Sequence, residues 1–388
     1  MGIKIGADMK ANEEERLYWY WLLCVENITK PEIRKLLEMY GSPREIYAAK
    51  KIPGITDLQA FSLDTARMDF AKTARVYEKL PDMDIRMILR DDEDYPAKLV
   101  GIPNEPYGFF LRGKLPSEER KSVSIIGARR ATTHGRWMAD KIAQGLALAG
   151  VDVISGLADG IDGAAHMGAL EADGYTLAVL GSGINVCFPA AHERLYREIM
   201  EKGGIISEYG PGAPGTAYHF PERNRIISAL SDIVAVVEAR ERSGSLITVA
   251  HALEQGRDVM AVPGRPDDPC SEGCNRLLRE GAGICTCAGD VLEALEVMPV
   301  HKKIPKDIIR GGSFSKNAPS MLKSMEQNHE VYTLQEGLVM ANLYADPRHV
   351  ESLSKVTGIP AKDMMALLAE MELKGYVKAV TAGMYQRV

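Results

Sequence analysis

Val123-Ser124-Ile125-Ile126-Gly127-Ala128-Arg129-Arg130-Ala131-Thr132-Thr133-His134-Gly135 joins an almost unbroken apolar run, a glycine and a polar loop that opens a helix. A run without regular polar alternation fits a strand covered on both faces, and the glycine lets the chain turn sharply towards its covering helix. The unit recurs. Runs at Asp152–Ser155, Thr176–Leu180, Ile205–Ser207, Ile233–Val237 and Asp258–Val262 each lead through a glycine-containing loop into a helical stretch, after a lead-in at Ile85–Leu89 and Tyr107–Leu111. Strands alternating with helices predict an α/β fold: an extended Rossmann-like, doubly wound parallel sheet over residues 82–297. Ligands of such sheets lie beyond the carboxyl ends of the strands, so function is sought in the loops there.

On either side the pattern changes. Residues 1–81 show helical period (Leu17, Tyr20, Trp21, Cys24; Ile33, Leu36, Leu37, Tyr40; Ala66, Phe70, Ala74, Tyr77) broken by Gly41-Ser42-Pro43 and Ile52-Pro53-Gly54-Ile55, which predicts a small helical domain. It lacks the glycine-rich hairpin of a helix-hairpin-helix DNA module, so packing or partner docking is its expected role. Residues 298–325 hold a linker rich in Lys, Ser, Gly and Pro. Residues 326–388 carry helix 350–356, turn 357–360, helix 361–374 and a ribbon 376–388, which predicts a winged helix.

Composition narrows the function. The 388 residues are 46% hydrophobic with a net charge of −6, which excludes coating of DNA by bulk positive charge and confines any nucleic-acid site to a local basic patch. A run of eighteen apolar residues and a leader are both lacking, so a soluble, cytoplasmic protein without membrane contact is expected. Six cysteines are too few and too unevenly spaced for a disulfide framework, and Cys270, Cys274, Cys285 and Cys287 lack the usual zinc-knuckle spacing. No metal and no cofactor are expected.

Four loops fall at the predicted ligand-binding edge. Gly127–Gly135 offers backbone N–H groups, threonine hydroxyls and Arg129, but neither the dinucleotide fingerprint nor the P-loop ending. Ser155-Gly156-Leu157-Ala158-Asp159-Gly160-Ile161-Asp162 leads to His166, four residues from Asp162; a buried histidine held by that carboxylate is expected rather than an acid–base pair. His219-Phe220-Pro221-Glu222-Arg223-Asn224-Arg225-Ile226-Ile227-Ser228 packs a ring and two guanidiniums into the start of a helix, a combination suited to a nucleic-acid strand: phosphate to the arginines and N–H groups, a base on the ring. Ser243-Gly244-Ser245-Leu246-Ile247-Thr248 is small and hydroxyl-rich, open to close approach of a phosphate.

Read in order, Gly127-Ala128-Arg129-x-x-Thr132, Ser155-Gly156-x-Ala158-x-Gly160-Ile161-Asp162-x-x-Ala165-His166, Phe220-Pro221-x-Arg223-Asn224-Arg225-Ile226-Ile227-Ser228, Ser243–Thr248 and Gly256-Arg257-x-Val259-x-Ala261-Val262-Pro263-Gly264 resemble the DprA/Smf family, and Gly273-Cys274-Asn275-Arg276-Leu277-Leu278 continues the match. The resemblance implies a non-catalytic, single-stranded DNA-binding homodimer that loads the recombinase RecA onto incoming DNA in natural transformation. Carried over by motif, it implies DNA contacts from Gly127, Arg129, Arg130, Thr132, Gly156, Phe220, Arg223, Asn224, Arg225, Ser243, Gly244 and Ser245, with dimerisation around Asn275–Ala282. Just before Phe220, where many relatives carry a basic residue, this chain reads Ala217-Tyr218-His219; either affinity falls or these rings substitute by stacking.

Two other functions are weighed against this. A Rossmann nucleotide hydrolase acting on phosphoribosyl groups is expected to carry a Pro-Gly-Gly-x-Gly-Thr loop and a following glutamate, where this chain reads Arg242-Ser243-Gly244-Ser245-Leu246. A transcriptional regulator would act through the tail. Residues 326–388 hold six basic and eight acidic side chains, however, and the second helix carries Asp363, Glu370 and Glu372 against Lys362 and Lys374. That balance repels phosphate and predicts a protein-interaction or autoregulatory module.

Overall fold

The main sheet has nine short strands, of which the central ones are buried on both faces. In this computed structural model, which describes residues 4–297 and 348–387 apart from 358, 375 and 382, together with Glu336, Val339 and Leu343, the strands are β1 (Arg86–Leu89), β2 (Gly108–Gly113), β3 (Ser122–Ile126), β4 (Asp152–Ser155), β5 (Thr176–Leu180), β6 (Gly204–Ser207), β7 (Ile233–Val236), β8 (Asp258–Ala261) and β9 (Gly283–Ile284). Their order is β1-β2-β6-β5-β4-β3-β7-β8-β9. Pairing is parallel from β6 across to β9, while β2 joins β6, and β1 joins β2, antiparallel.

Side-chain alternation divides the core. Val123, Ile125, Ile233, Ala235 and Val237 pack under α6 (Thr133–Leu148), α7 (Ile161–Glu171) and α12 (Ala288–Ala294). Ile126, Val234 and Val236 face the opposite layer, with Ile226 and Ile227 of α9 (His219–Ala229), Val249 of α10 (Ser245–Glu254) and Cys274 and Leu277 of α11 (Glu272–Arg279). All five residues of β3 are buried, as a two-face strand requires. Helix α8 (Glu193–Lys202) covers β5 and β6 through Leu195, Tyr196 and Ile199.

The N-terminal residues form α1 (Lys4–Cys24), α2 (Lys30–Tyr40), α3 (Pro43–Ala48), α4 (Asp57–Met68) and α5 (Phe70–Glu78). Helix α1 belongs to two cores. Trp21 and Leu22 pack with Ile33, Leu36, Ile46 and Leu63 of the bundle, whereas Tyr20 and Leu23 join Phe110, Leu180 and Ile205 on the sheet. Bundle and sheet accordingly fall in one compact unit, Met1–Gly312, and the remainder in a second, Ser313–Val388.

In the second unit, α13 (Val350–Thr357) and α14 (Ala361–Leu373) pack with a three-stranded sheet of β10 (Arg348–His349), β11 (Val377–Thr381) and β12 (Met384–Arg387), around Leu353, Met364, Leu368 and Met371. Asp363, Glu370 and Glu372 are exposed on α14, and Lys374 Nζ is drawn to Glu336 at 2.8 Å and Glu370 at 2.7 Å. The expected linker 298–325 and most of the segment 326–347 lie outside the described residues. Among the described residues, no helix is long and apolar enough to cross a membrane, and no group of three or more His, Cys, Asp or Glu is placed to hold a metal ion.

Candidate nucleic-acid interface

Strand β3 is followed by α6 and then β4 on one side, and β7 by α10 and then β8 on the other, so the loops after β3 and β7 flank the point where the winding reverses. Hydrogen bonds stitch them together. Ala128 N donates to Glu238 O at 2.8 Å, and the buried Glu238 carboxylate accepts from Thr132 N at 2.9 Å and from the Thr132 hydroxyl. Thr132 Oγ1 in turn accepts from Gly135 N at 2.9 Å, which caps α6. Thr132 thus sets the loop that holds Arg129 and Arg130, both exposed.

The second loop provides a seat for Arg223. Its Nη1 donates to Gly156 O at 2.8 Å and to Val179 O at the end of β5, and its Nε to Asn224 Oδ1 at 3.1 Å. A Cβ on Gly156 would collide with that guanidinium. Gly156 N donates to Asp162 Oδ2 at 3.1 Å, so both polar groups of Gly156 are committed within the fold. Burial pushes the Arg223 pKa down to about 10 against the attraction of Asp162, and the side chain stays cationic at neutral pH. Burial raises the Asp162 carboxyl, opposed by Arg223 and by the Ala158 and Gly156 N–H groups. Gly160, at φ 82°, lets the chain pass against Ala128 and Arg129, where a side chain has no room.

Phe220, half-buried in the first turn of α9, draws these loops into one site. Arg129 Cζ lies 4.8 Å from its ring centroid and Arg223 Cζ 5.9 Å. Phe188, exposed on the loop after β5, is centred 5.4 Å away. The fourth loop closes the rim: Asn224 Nδ2 reaches Gly244 O at 3.5 Å, and the Ser243 and Ser245 hydroxyls bond to each other at 2.7 Å. Gly244 is exposed, while Ser245 is buried at the start of α10. The rim is therefore cationic and aromatic on the outside, with Arg223 fixed beneath.

Arg225, expected among the DNA-contacting residues, points elsewhere. Its Nη1 and Nη2 donate to the two Glu208 oxygens at 2.6 and 2.8 Å, its Nε to Asn104 O at 2.8 Å, and both charged side chains are buried. It braces α9 against the sheet and offers no donor to the rim. The histidine at 166 also differs from expectation. Its Nδ1 lies 2.7 Å from Thr176 Oγ1, not on Asp162, and burial pushes its pKa down to about 3, so it is neutral and sealed. Of the two rings before Phe220, His219 is buried and stacked on Tyr209 with centroids 3.7 Å apart, while Tyr218 is exposed.

Sequence reading passed over three residues on or beside these loops. Arg240 and Arg242 are exposed on the loop after β7. Their signal is two arginines between a strand and the serine loop. Phe188 had none: it precedes Phe220 by 32 positions in an irregular stretch.

Comparison with known proteins identifies the family. A family model described as DNA recombination-mediator protein A matches residues 86–296, and one described as DprA winged helix domain matches residues 326–383. The chain is 38% identical over 283 residues to the DNA processing protein DprA of Streptococcus pneumoniae, covering 72% of this chain and 98% of that one. It is 36% identical over 299 residues to Protein Smf of Escherichia coli, covering 76% of each. The crystal structure of DprA from Streptococcus pneumoniae superposes with a TM-score of 0.61 at 35% identity, over 71% of this chain and 97% of that one. Sheet, ordered loop motifs and tail together establish that the chain belongs to the DNA recombination-mediator protein A (DprA/Smf) family.

Proposed function

We propose that the rim binds single-stranded DNA without cutting or modifying it, and that the chain acts as a recombination mediator that passes the strand to RecA during natural transformation. The observation that carries this reading is the meeting of Arg129 and Phe220, 4.8 Å apart at an exposed edge where four loops converge. Guanidiniums at 129, 130, 240 and 242 supply phosphate contacts, Ser243 and Gly244 admit close backbone approach, and Phe220 supplies a face for a base. Neither phosphate contact nor stacking reads base edges, so sequence preference is slight. Arg223 and Asn224 act by holding the ring and the fourth loop in place, and Arg225 is left out of the contacting set.

A homodimer through the region around Asn275–Ala282 would put two such rims on one particle and raise apparent affinity for a strand long enough to reach both. Family membership and the DNA-processing names of its relatives support the assignment to DNA. The neutral, sealed His166 and the committed Asp162 support the non-catalytic part, because the one candidate acid–base pair in these loops cannot exchange protons with a ligand.

The test is a titration of labelled oligonucleotide, single- and double-stranded, across a range of salt. Single strands are expected to bind more tightly, with affinity falling as salt rises, and Arg129→Ala is expected to weaken binding and flatten the logarithmic salt slope by about 0.7. Equal binding of duplex, or release of free base from a nucleotide, would overturn the reading.

A further inference from the structure

Phe220 is not the most open ring at the rim. Phe188, on the loop after β5, is 47% exposed, whereas Phe220 is half-buried. The two rings meet with centroids 5.4 Å apart and planes 41° from parallel. Gly215 lies along the seam: a Cβ there would stand 3.3 Å from Phe220 Cζ and 3.7 Å from Phe188 Cγ. The loop that carries Phe188 is tied down just before the ring. Ser182 Oγ donates to Val186 O at 2.7 Å, and Asn185 Oδ1 accepts from Gly212 N at 2.7 Å. Gly183 N donates to Ala213 O at 2.8 Å and Ile184 N to Tyr209 O at 3.2 Å. The ring is thus placed by the same segment that leads into α9.

Spacing decides how bases can sit here. A base held between two rings needs roughly 3.4 Å on each side, about 6.8 Å in all, and the 5.4 Å between these centroids falls short. The rings therefore do not clamp one base between them. We propose that Phe188 stacks the base next to the one on Phe220, so that the strand leaves the rim over the loop after β5 with two neighbouring bases splayed by the angle between the rings. The proposal rests on the reading above and deepens it by naming the class of strand preferred. Bases set 41° apart cannot stack on each other, so a strand whose bases cling together must first be pulled apart. Adenylate runs stack strongly along the strand and thymidylate runs hardly at all, so flexible, pyrimidine-rich DNA is the favoured ligand. Base edges stay unread, and the preference is one of composition, not of sequence. A duplex, whose neighbouring base pairs stay parallel, cannot occupy both rings.

Anisotropy titrations of the full chain with labelled oligothymidylate and oligoadenylate of equal length test this. Wild type is expected to favour thymidylate. Phe188→Ala should weaken thymidylate binding about tenfold, the usual effect of removing one stacked base, and adenylate binding by less, so that the ratio of the two affinities narrows. Because Phe188 also packs against Phe220, two further variants separate stacking from support. Phe188→Tyr keeps a ring and should retain both affinity and ratio, whereas Phe188→Leu keeps apolar bulk without a ring and should behave like Phe188→Ala. No preference in wild type, equal losses for the two oligonucleotides in Phe188→Ala, or wild-type binding by a folded Phe188→Leu or Phe188→Ala variant while Phe220→Ala loses affinity, would overturn the Phe188 subsite alone. Wild-type affinity in both alanine variants would overturn the Phe220 site as well, and with it the function proposed above.

Discussion

Phe220 is already in contact with the Arg129 guanidinium, so under the proposed function an incoming base would exchange places with a cation instead of filling a void. The net gain is the difference between two ring contacts, plus whatever the displaced guanidinium finds on a neighbouring phosphate. Phe220→Ala is accordingly expected to weaken single-strand binding by about tenfold, the lower part of the range for stacked bases, measured by anisotropy at fixed salt. Arg225 poses a different question. Burial alone would raise the Glu208 carboxyl, but Arg225 at 2.6 Å, aided by Lys30, holds it below its ordinary value. A depressed folded-state pKa contributes stability that is complete above the unfolded value, near 4.3, and fades as the pH drops through the folded one. Glu208→Gln should therefore cost about 3 kcal/mol at neutral pH, because Arg225 keeps a buried and uncompensated charge, and its stability should fall less steeply than wild type below about pH 4. Chemical denaturation at several pH values measures both.

At the scale of elements, the loop after β3 is held by the start of α6, and α6 starts where it does because Thr132 caps it on Glu238. Thr132→Ala is expected to lower stability by about 1 kcal/mol and to weaken oligonucleotide binding without touching the strand, by loosening Arg129 and Arg130; a thermal melt and a binding curve on the same variant check it. Which elements could be read in advance follows from their burial. Strands β3 to β7 announce themselves because two covered faces demand continuous apolar runs, and the glycine after β3 marks its loop. Strand β9 is two residues long, too short to leave a pattern, and the antiparallel attachment of β2 to β6 depends on partners about ninety positions apart. The same distance effect hid the fate of Arg225: its partner sits 17 residues earlier, on the segment after β6, and only the fold brings them together. Arg129 and Phe220, by contrast, were legible as residue types, though their contact was not.

For the whole molecule, a net charge of −6 means that attraction for DNA is local. In the second unit, Asp363, Glu370 and Glu372 are exposed on α14. Removing residues 326–388 should leave single-strand affinity within about twofold of wild type, because repulsive charge on α14 cannot supply the phosphate contacts that dominate binding; a larger loss in the oligonucleotide titration would place DNA contacts in the tail. The N-terminal bundle does not permit so clean an excision. Since α1 turns Trp21 and Leu22 one way and Tyr20 and Leu23 the other, cutting the chain at residue 82 would leave Phe110, Leu180 and Ile205 partly bare to water. Whatever activity vanished with that cut would report a sheet robbed of its roof, and would say little about any partner the bundle might have been thought to recruit.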